Sequence, residues 1–421
     1  MIKAFKFRLS PTKQQEQKLF WILSRCRELY NAGLQERREA YEMHVRRHPQ
    51  YYDLETRKQL ARELTLNYYQ QKGDLPELKS EIRQEYQEIQ SQVLQDVLLR
   101  LKKAFDGFFR RVKNGETPGY PRFAGRNRYC SFTYPQASAF SITHEGRVCL
   151  SKIGSIKATF HREMEGTPKT ATVKHEAGAW YVIFSCECEQ PEPLPEVDSE
   201  IGIDLGITHF AALSDETFVE SPRYLRKSSM KLRVKQQTLS RRKRGSHRRE
   251  KARKQVTRAH RKVANQRRDF HHKEASKLVK THQVMVFEEL YLTNLTKRAK
   301  PKQDEDGKYV PNGASAKSGL NKSLLDNGLG QFVQIVTHKA AYAGREIYTI
   351  NPKYTSQICS ACGKKGPKKD LSQRVHICTP CGVVLDRDTN AAKNILMAWK
   401  EPTVWTSLCR GADQAVEAPC L

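Results

Sequence analysis

Apolar and polar residues alternate loosely over residues 2–9 (IKAFKFRL), the period of a strand. Ser10-Pro11 follows, and a serine cap with proline at the first helical position predicts a helix from there. Leu19, Ile22, Leu23, Cys26, Leu29, Tyr30 and Leu34 then recur at helical spacing. The pattern predicts further helices near 53–70 and 77–112, the second carrying Val97, Leu98, Leu101, Phe105 and Phe108. Glycines and prolines in "GETPGYPRFAGR" interrupt it at 115–126.

From 129 to 188 the period shortens. Runs such as "SFTY", "RVCL", "SIKATF", "TATVKH" and "WYVIFSCEC" stand between Gly and polar turns, which reads as a small β domain. "EQPEPLPEVDSE" at 189–200 reads as a linker. "IGIDLGITHFAALS" is a strand, a tight turn and a second strand. Residues 223–281 read as a long helical hairpin turning near Gly245, with Ala252, Val256, Ala259 and Val263 on one stripe of its second arm. "QVMVFEEL" (283–290) and "REIYTI" are further strands, separated by a polar loop at 296–323, expected to be mobile, and a helix around 326–343. A last helix is predicted from Thr389 to about Trp399. The tail from 400 has little pattern and is expected to be disordered. No internal repeat is present.

Charge changes this picture. Lys+Arg number 74 and Asp+Glu 46 in 421 residues, a formal charge of +28. From Arg223 to Arg268 there are 20 Lys/Arg and one acid, Glu250, so this hairpin carries +19. A solvated face could hold such a run, but its concentration favours a polyphosphate partner, with backbone contact over base stacking because aromatics are sparse. Mean hydropathy is −0.71 and no run of about 18 apolar residues exists, so no membrane span is indicated. The N-terminus lacks the apolar stretch of a secretory signal.

Eleven cysteines, an odd number, do not suggest a disulfide framework; they suggest a reducing cytoplasm. Cys359 and Cys362 form one CxxC, Cys378 and Cys381 another, with 15 residues between them. Four thiolates on two knuckles make the closed tetrahedral site that structural zinc prefers. Such a site has no open position for water, so chemistry must lie elsewhere.

Three acidic segments are the candidates. Asp204 sits in a strand whose Ile201 and Ile203 face one way while Gly202 and Asp204 face the other; it could cap the turn at Gly206 instead. Glu288 and Glu289 end a strand, and only one of them can share a face with Asp204. Asp386 and Asp388 lie just before a helix that Asp388 could simply cap. Converging carboxylates hold hard divalent cations such as Mg²⁺, and two ions about 3.5–4 Å apart can drive phosphodiester cleavage.

"GIDLGI", "QQTLSRRKRGS", "FEELYLTNL", "NPKYTSQICSACG", "LSQRVHICTPCG" and "DRDTNAAKNI", in this order over roughly 200–399, resemble the TnpB family. These are transposon-encoded RNA-guided DNA endonucleases related to the type V CRISPR effectors. "FRLSPTKQQEQKLF" and "FFRRVKNGETPGYPRF" look similar too. The resemblance implies an α+β multidomain protein. An RNase H-like (RuvC) α/β nuclease domain would span 201–350 and 386–399, with a zinc ribbon inserted at 351–385. A wedge-like β-barrel would take 1–10 and 115–190, a helical recognition domain 11–114, a linker 191–200, and a disordered tail 400–421. The implied catalytic, Mg²⁺-binding acids are Asp204, Glu288 and Asp388, with Arg374 near the scissile phosphate and one Zn²⁺ on Cys359, Cys362, Cys378 and Cys381.

Implied partners are a guide RNA from the transposon end and target DNA beside a short target-adjacent motif, with one protein per guide in the cytoplasm, on the nucleoid. Two other functions compete: an RNA-guided repressor that does not cut, which acid loss would mark and the sequence does not show, and a transposase acting on transposon ends.

Overall fold

The computed structural model describes residues 1–43, 56, 66–126, 128–367, 369 and 373–417. The chain divides into two compact units, Met1–Glu189 and Gln190–Leu421.

In the first unit β1 (Ile2–Ser10) leads into α1 (Lys13–Tyr41). The cap is Thr12 and not Ser10, because Ser10 is still paired in the sheet, opposite Lys157. Thr12 accepts the Gln15 N–H at 3.3 Å and Gln15 Oε1 accepts the Thr12 N–H at 3.0 Å, a reciprocal box. Leu19, Ile22, Leu23, Cys26, Leu29 and Leu34 are buried as the period requires.

The helix expected near 53–70 falls mostly outside the described residues; α2 (Tyr68–Gly73) is the described part. The helix expected from 77 is broken: residues 75–82 and 84–88 form short helical turns, and the long helix is α3 (Ser91–Lys113). Before it, Tyr86 and Ile89 both turn inward, each 2% exposed, and the backbone extends at Ile89 and Gln90, which a continuous helix would not allow. Gln90 then caps α3 by accepting the Val93 N–H at 3.1 Å.

Six more strands complete an antiparallel sheet: β2 (Ser131–Tyr134), β3 (Phe140–Ile142), β4 (Arg147–Leu150), β5 (Gly154–Thr159), β6 (Thr167–Glu176) and β7 (Ala179–Glu187). Their order is β2-β6-β7-β1-β5-β4-β3. The N-terminal strand is therefore central, and Phe5, Phe7 and Leu9 enter one core with the apolar faces of α1 and α3. Among the described residues the hydrogen-bonded ladder runs from β2 at one edge to β3 at the other.

The second unit has a five-stranded sheet: β8 (Glu200–Leu205), β9 (His209–Leu213), β10 (Phe218–Glu220), β11 (Val284–Glu288) and β14 (Glu346–Ile350), in the order β10-β9-β8-β11-β14. β11 runs parallel to both its neighbours. Before the sheet, residues 191–199 are no loose linker: Leu194 N–H reaches Ala343 O at 3.0 Å, and buried Arg345 donates to Pro195 O at 2.8 Å.

The basic hairpin is α4 (Tyr224–Ser240) and α5 (His247–Thr281), turning through Gly245 at φ +84°. Ala252 and Val263 are buried and Val256 and Ala259 half-buried, as the stripe predicts. The polar segment 296–323 differs from the expected loop. It holds a two-stranded hairpin, β12 (Lys302–Gln303) and β13 (Tyr309–Val310), and then α6 (Ala314–Asn327), whose first turn is fixed by Asn312 accepting the Ala314 N–H at 3.2 Å. Gly328, at φ +65°, breaks α6 from α7 (Leu329–Ala343). A second hairpin, β15 (Val375–Ile377) and β16 (Val384–Asp386), precedes α8 (Arg387–Lys400).

The tail is also a helix, α9 (Pro402–Glu417). Trp405, Leu408 and Cys409 form a short stripe that packs with Ile358 and Ala398, a cluster too small to stand out by periodicity.

The sheet is covered on both faces. Ile201, Ile203, Leu205, Met285 and Phe287 pack with Leu278 and Val279 of α5 and Phe332 and Val336 of α7. On the other face Val284 and Val286 meet Ile395 of α8, flanked by Leu396 and Trp399. Gly202 sets that second contact: a Cβ there would lie 2.2 Å from Ala392 O and 2.9 Å from Leu396 N. Gly202→Ala must push α8 off the sheet, at a cost on the order of 1–3 kcal/mol. We expect a lower melting temperature by calorimetry, whereas Gly307→Ala, with nothing within 4 Å but a strained φ of +76°, should cost less.

Candidate active site

Three elements of the second unit deliver acids to one place. In the parallel pair, Ile203 lies opposite Phe287, so the next residues, Asp204 of β8 and Glu288 of β11, leave the sheet side by side. Their strands are fixed by apolar neighbours on the opposite face, which leaves the acids on the α8 face. Asp388 arrives in the first turn of α8. A Cβ placed on Gly206 would lie 3.9 Å from Asp388 Oδ2, which puts this carboxylate beside the turn that follows Asp204.

The three acids repel one another. Burial, then Glu288 and then Asp388, hold the Asp204 carboxyl well above the usual carboxylate range. Burial, and then Asp388, push Glu288 from an ordinary 4.5 up to about 7. Asp388 is raised by burial and Asp386, against the pull of Arg374, Arg387 and His209. Arg374 is thus drawn to the same cluster, and its backbone carbonyl accepts the Arg387 N–H at 2.7 Å.

Two alternatives left open by the residues alone now separate in their contacts. Asp386 Oδ1 accepts the N–H groups of Asp388 and Thr389 at 2.8 and 3.3 Å, so Asp386 is the helix cap and Asp388 is not. Glu289 is exposed, and its N–H bonds to Ile350 O at 2.9 Å on the neighbouring strand.

The four cysteines also come together, every ligand atom within 4.8 Å of the others. Cys359 Sγ lies 3.7 Å from Cys381 Sγ, and Cys362 Sγ 3.5 Å from Cys378 Sγ. Zn–S bonds of about 2.3 Å in a tetrahedron place sulfurs about 3.8 Å apart, so the donor set fits a metal such as zinc. Each knuckle closes on a left-handed glycine: Gly363 N–H bonds Cys359 O at 2.9 Å and Gly382 N–H bonds Cys378 O at 2.8 Å. A backbone hydrogen bond at Lys364 draws Cys362 down to about 7, while burial pushes Cys378 up to about 12; a cation would let both ionise.

Several residues here had no signal in the motifs. Asn327 Nδ2 donates to Gly206 O at 2.8 Å, just past Asp204. Its neighbour Asp326 caps α4 from outside, accepting the Leu225 and Arg226 N–H groups at 3.0 to 3.2 Å. Arg267 of α5 donates to Leu325 O at 2.9 Å, and His271 of α5, fully buried and held near 4 by that burial, bonds Asn327 O at 2.8 Å. The basic hairpin is thereby fastened to the strand turn that bears Asp204. A polar Asp-Asn pair between two helices reads from sequence only as a helix end.

Known relatives match most of the chain. A family profile described as "Probable transposase" matches residues 183–299, one described as "Cas12f1-like, TNB domain" matches 330–395, and one described as "Helix-turn-helix domain" matches 1–45, although residues 2–41 here form a strand and one long helix. A protein of Escherichia coli (strain K12) named "Putative RNA-guided DNA endonuclease InsQ" is 31% identical over 398 residues, 94% of this chain and 92% of its own. A Streptomyces pristinaespiralis protein with the same name less InsQ is 31% identical over 402 residues, 94% of this chain and 89% of its own. The CRISPR-associated endodeoxyribonuclease Cas12f1 of Sulfoacidibacillus thermotolerans is 40% identical over 62 residues, 15% of either chain. The chain belongs to the TnpB family. Among the described residues no helix is long and apolar enough to cross a membrane.

The raised acids set a pH dependence. Glu288 binds its proton more tightly in the folded chain, so its contribution to stability is complete below pH 4.5 and is lost as pH rises through about 7. Without divalent cations, Glu288→Gln should therefore melt several degrees higher than the parent chain at pH 8, the gap narrowing toward pH 5 and closing by pH 4. Thermal melts across pH check this, and a gap that widened on acidification would contradict it.

Proposed function

We propose that this chain is an RNA-guided DNA endonuclease whose RNase H-like (RuvC) site is Asp204, Glu288 and Asp388. The observation that carries the reading is the meeting of these three carboxylates, from two parallel strands and a helix, in a half-buried place where they raise one another's proton affinity. Such a cluster is stable in its charged form when divalent cations replace the protons. The E. coli and Streptomyces relatives, by their names, support the activity.

When bound, two Mg²⁺ ions would activate the attacking water and stabilise the leaving oxygen. The chain's own part is to hold the acids at fixed register, with Asp386 kept on the helix cap. Arg374, already drawn to Asp388, would meet the negative phosphate that enters between them. The hairpin from Arg223 to Arg268, with its +19 charge, would track the backbone of the guide or of the guide–target duplex. The guide would come from the transposon end, with target DNA chosen by pairing beside a short target-adjacent motif. Cys359, Cys362, Cys378 and Cys381 would hold one Zn²⁺ as a structural ribbon.

Purified with RNA transcribed from its transposon end, the chain should cut matched DNA only with Mg²⁺. Asp204→Ala should lower cutting at least a thousandfold and leave RNA binding within about twofold. Cutting that survives the change would sink the acid assignment. Cutting of transposon ends after RNase treatment would instead favour a transposase. Metal analysis should find one equivalent of zinc, and its removal should unfold the 350–400 region by hydrogen exchange; a zinc-free chain with native exchange there would refute the ribbon.

A further inference from the structure

Asparagine is a poor helix former, yet α8 carries Asn390 and Asn394 in its interior, both with no exposure to solvent. Their side chains look outward from the helix to one segment, residues 355–360, which ends in the first cysteine knuckle. Asn390 Oδ1 accepts the Ser360 N–H at 2.9 Å, and its Nδ2 donates to Ile358 O at 2.8 Å. Asn394 Nδ2 donates to Thr355 O at 2.8 Å and to the same Ile358 O at 2.7 Å. Four hydrogen bonds thus join the helix to the backbone on either side of buried Ile358, directly before Cys359. Buried carbonyls and N–H groups without these partners would each cost about 1–3 kcal/mol, so the segment and the helix hold as one body.

The other knuckle reaches the same helix by another route. From Cys378 and Cys381 the chain passes through β16 into the Asp386 cap, while Arg374, before β15, accepts the Arg387 N–H. Asp388 therefore stands between two attachments that both begin at the cysteines, and Asn390 is only two residues away. Closing the cysteines on a cation fixes both knuckles relative to each other. It must then also fix the turn that bears Asp388.

We propose that Asn390 and Asn394 are positioning residues that couple occupancy of the four-cysteine site to the divalent-cation affinity of Asp204, Glu288 and Asp388. This rests on the reading of those acids as a cation site. Coupling between two sites is reciprocal: if the cysteine-bound metal tightens the acid site, a cation on the acids must slow loss of the metal from the cysteines.

The test uses the full, zinc-loaded chain without nucleic acid and Mn²⁺ as the probe. Mn²⁺ binding is followed by electron paramagnetic resonance, and zinc release by a colorimetric chelator. The parent chain should bind Mn²⁺ in a manner lost in Asp204→Ala, and saturating Mn²⁺ should slow zinc release about fivefold or more. Asn390→Ala should keep one zinc, bind Mn²⁺ at least about fivefold more weakly, and release zinc at a rate indifferent to Mn²⁺. Should that variant fail to fold, Asn394→Ala removes the donors to Thr355 O and Ile358 O, adds no charge and leaves the Ser360 contact; it should weaken Mn²⁺ binding in the same direction. A folded Asn390 or Asn394 variant with parental Mn²⁺ affinity, or zinc release in the parent chain that ignores Mn²⁺, overturns the coupling and leaves the acid site standing. A parent chain that binds no Mn²⁺, or binds it equally after Asp204→Ala, overturns the acid site and the coupling with it.

Discussion

Three carboxylates held against one another are the constraint around which the second unit is arranged. Left to themselves Asp204, Glu288 and Asp388 would move apart or keep their protons. The fold prevents the first by giving each acid a separate rigid support. Asp204 and Glu288 stand on adjacent parallel strands whose apolar residues are locked into the core with α5 and α7. Asp388 stands on α8, which lies so close to β8 that only glycine fits at 202. On the proposed reading, a cation would replace protons that the folded chain holds tightly, and stability given up at neutral pH would serve divalent-ion affinity, a trade often found at functional sites.

Much of this could be read along the chain, and for a physical reason. Strands and long helices announce themselves by period. So β8, β11 and β14, the two arms of the basic hairpin and α8 fall near where the pattern puts them. Paired cysteines at short spacing are equally plain, because two thiols on one tight knuckle have few other uses. What the pattern missed is held by single polar contacts and not by periodicity. Thr12 and Asp386 cap helices that Ser10 or Asp388 could have capped equally well, and only the register of the preceding strand decides between them. The α6 helix, rich in Ser, Lys, Gly and Asn, has almost no apolar stripe and begins at a side-chain turn from Asn312. The break before α3 is an extended backbone at Ile89 and Gln90; Tyr86 and Ile89 are buried at the same helical spacing as Val93 and Val97, so the period alone does not show it. The tail helix depends on Trp405 and its few neighbours around Ile358.

The same distinction separates the acids from what positions them. Carboxylates on strand ends stand out in sequence because burying them is costly. Asn327, Asn390 and Asn394 do not, since an asparagine in or beside a helix is usually exposed and without consequence. Here all three are buried, and each bonds a backbone group close to an acid or a cysteine. Asn327 ties the Asp204 turn to the basic hairpin, and Asn390 and Asn394 tie the Asp388 helix to the cysteine knuckle. The polycationic surface, the acid cluster and the cysteine site are therefore mechanically continuous within this unit.

The most direct test of the central claim is to locate a cation. Crystals of the full chain grown with Mn²⁺ and measured near the manganese absorption edge should give anomalous density bounded by Asp204, Glu288 and Asp388, with carboxylate oxygens about 2.1 Å from the metal. Zinc should be distinguished by its own edge at the four cysteines. Manganese density at the cysteines or elsewhere on the surface, with none among the three acids, would contradict the account.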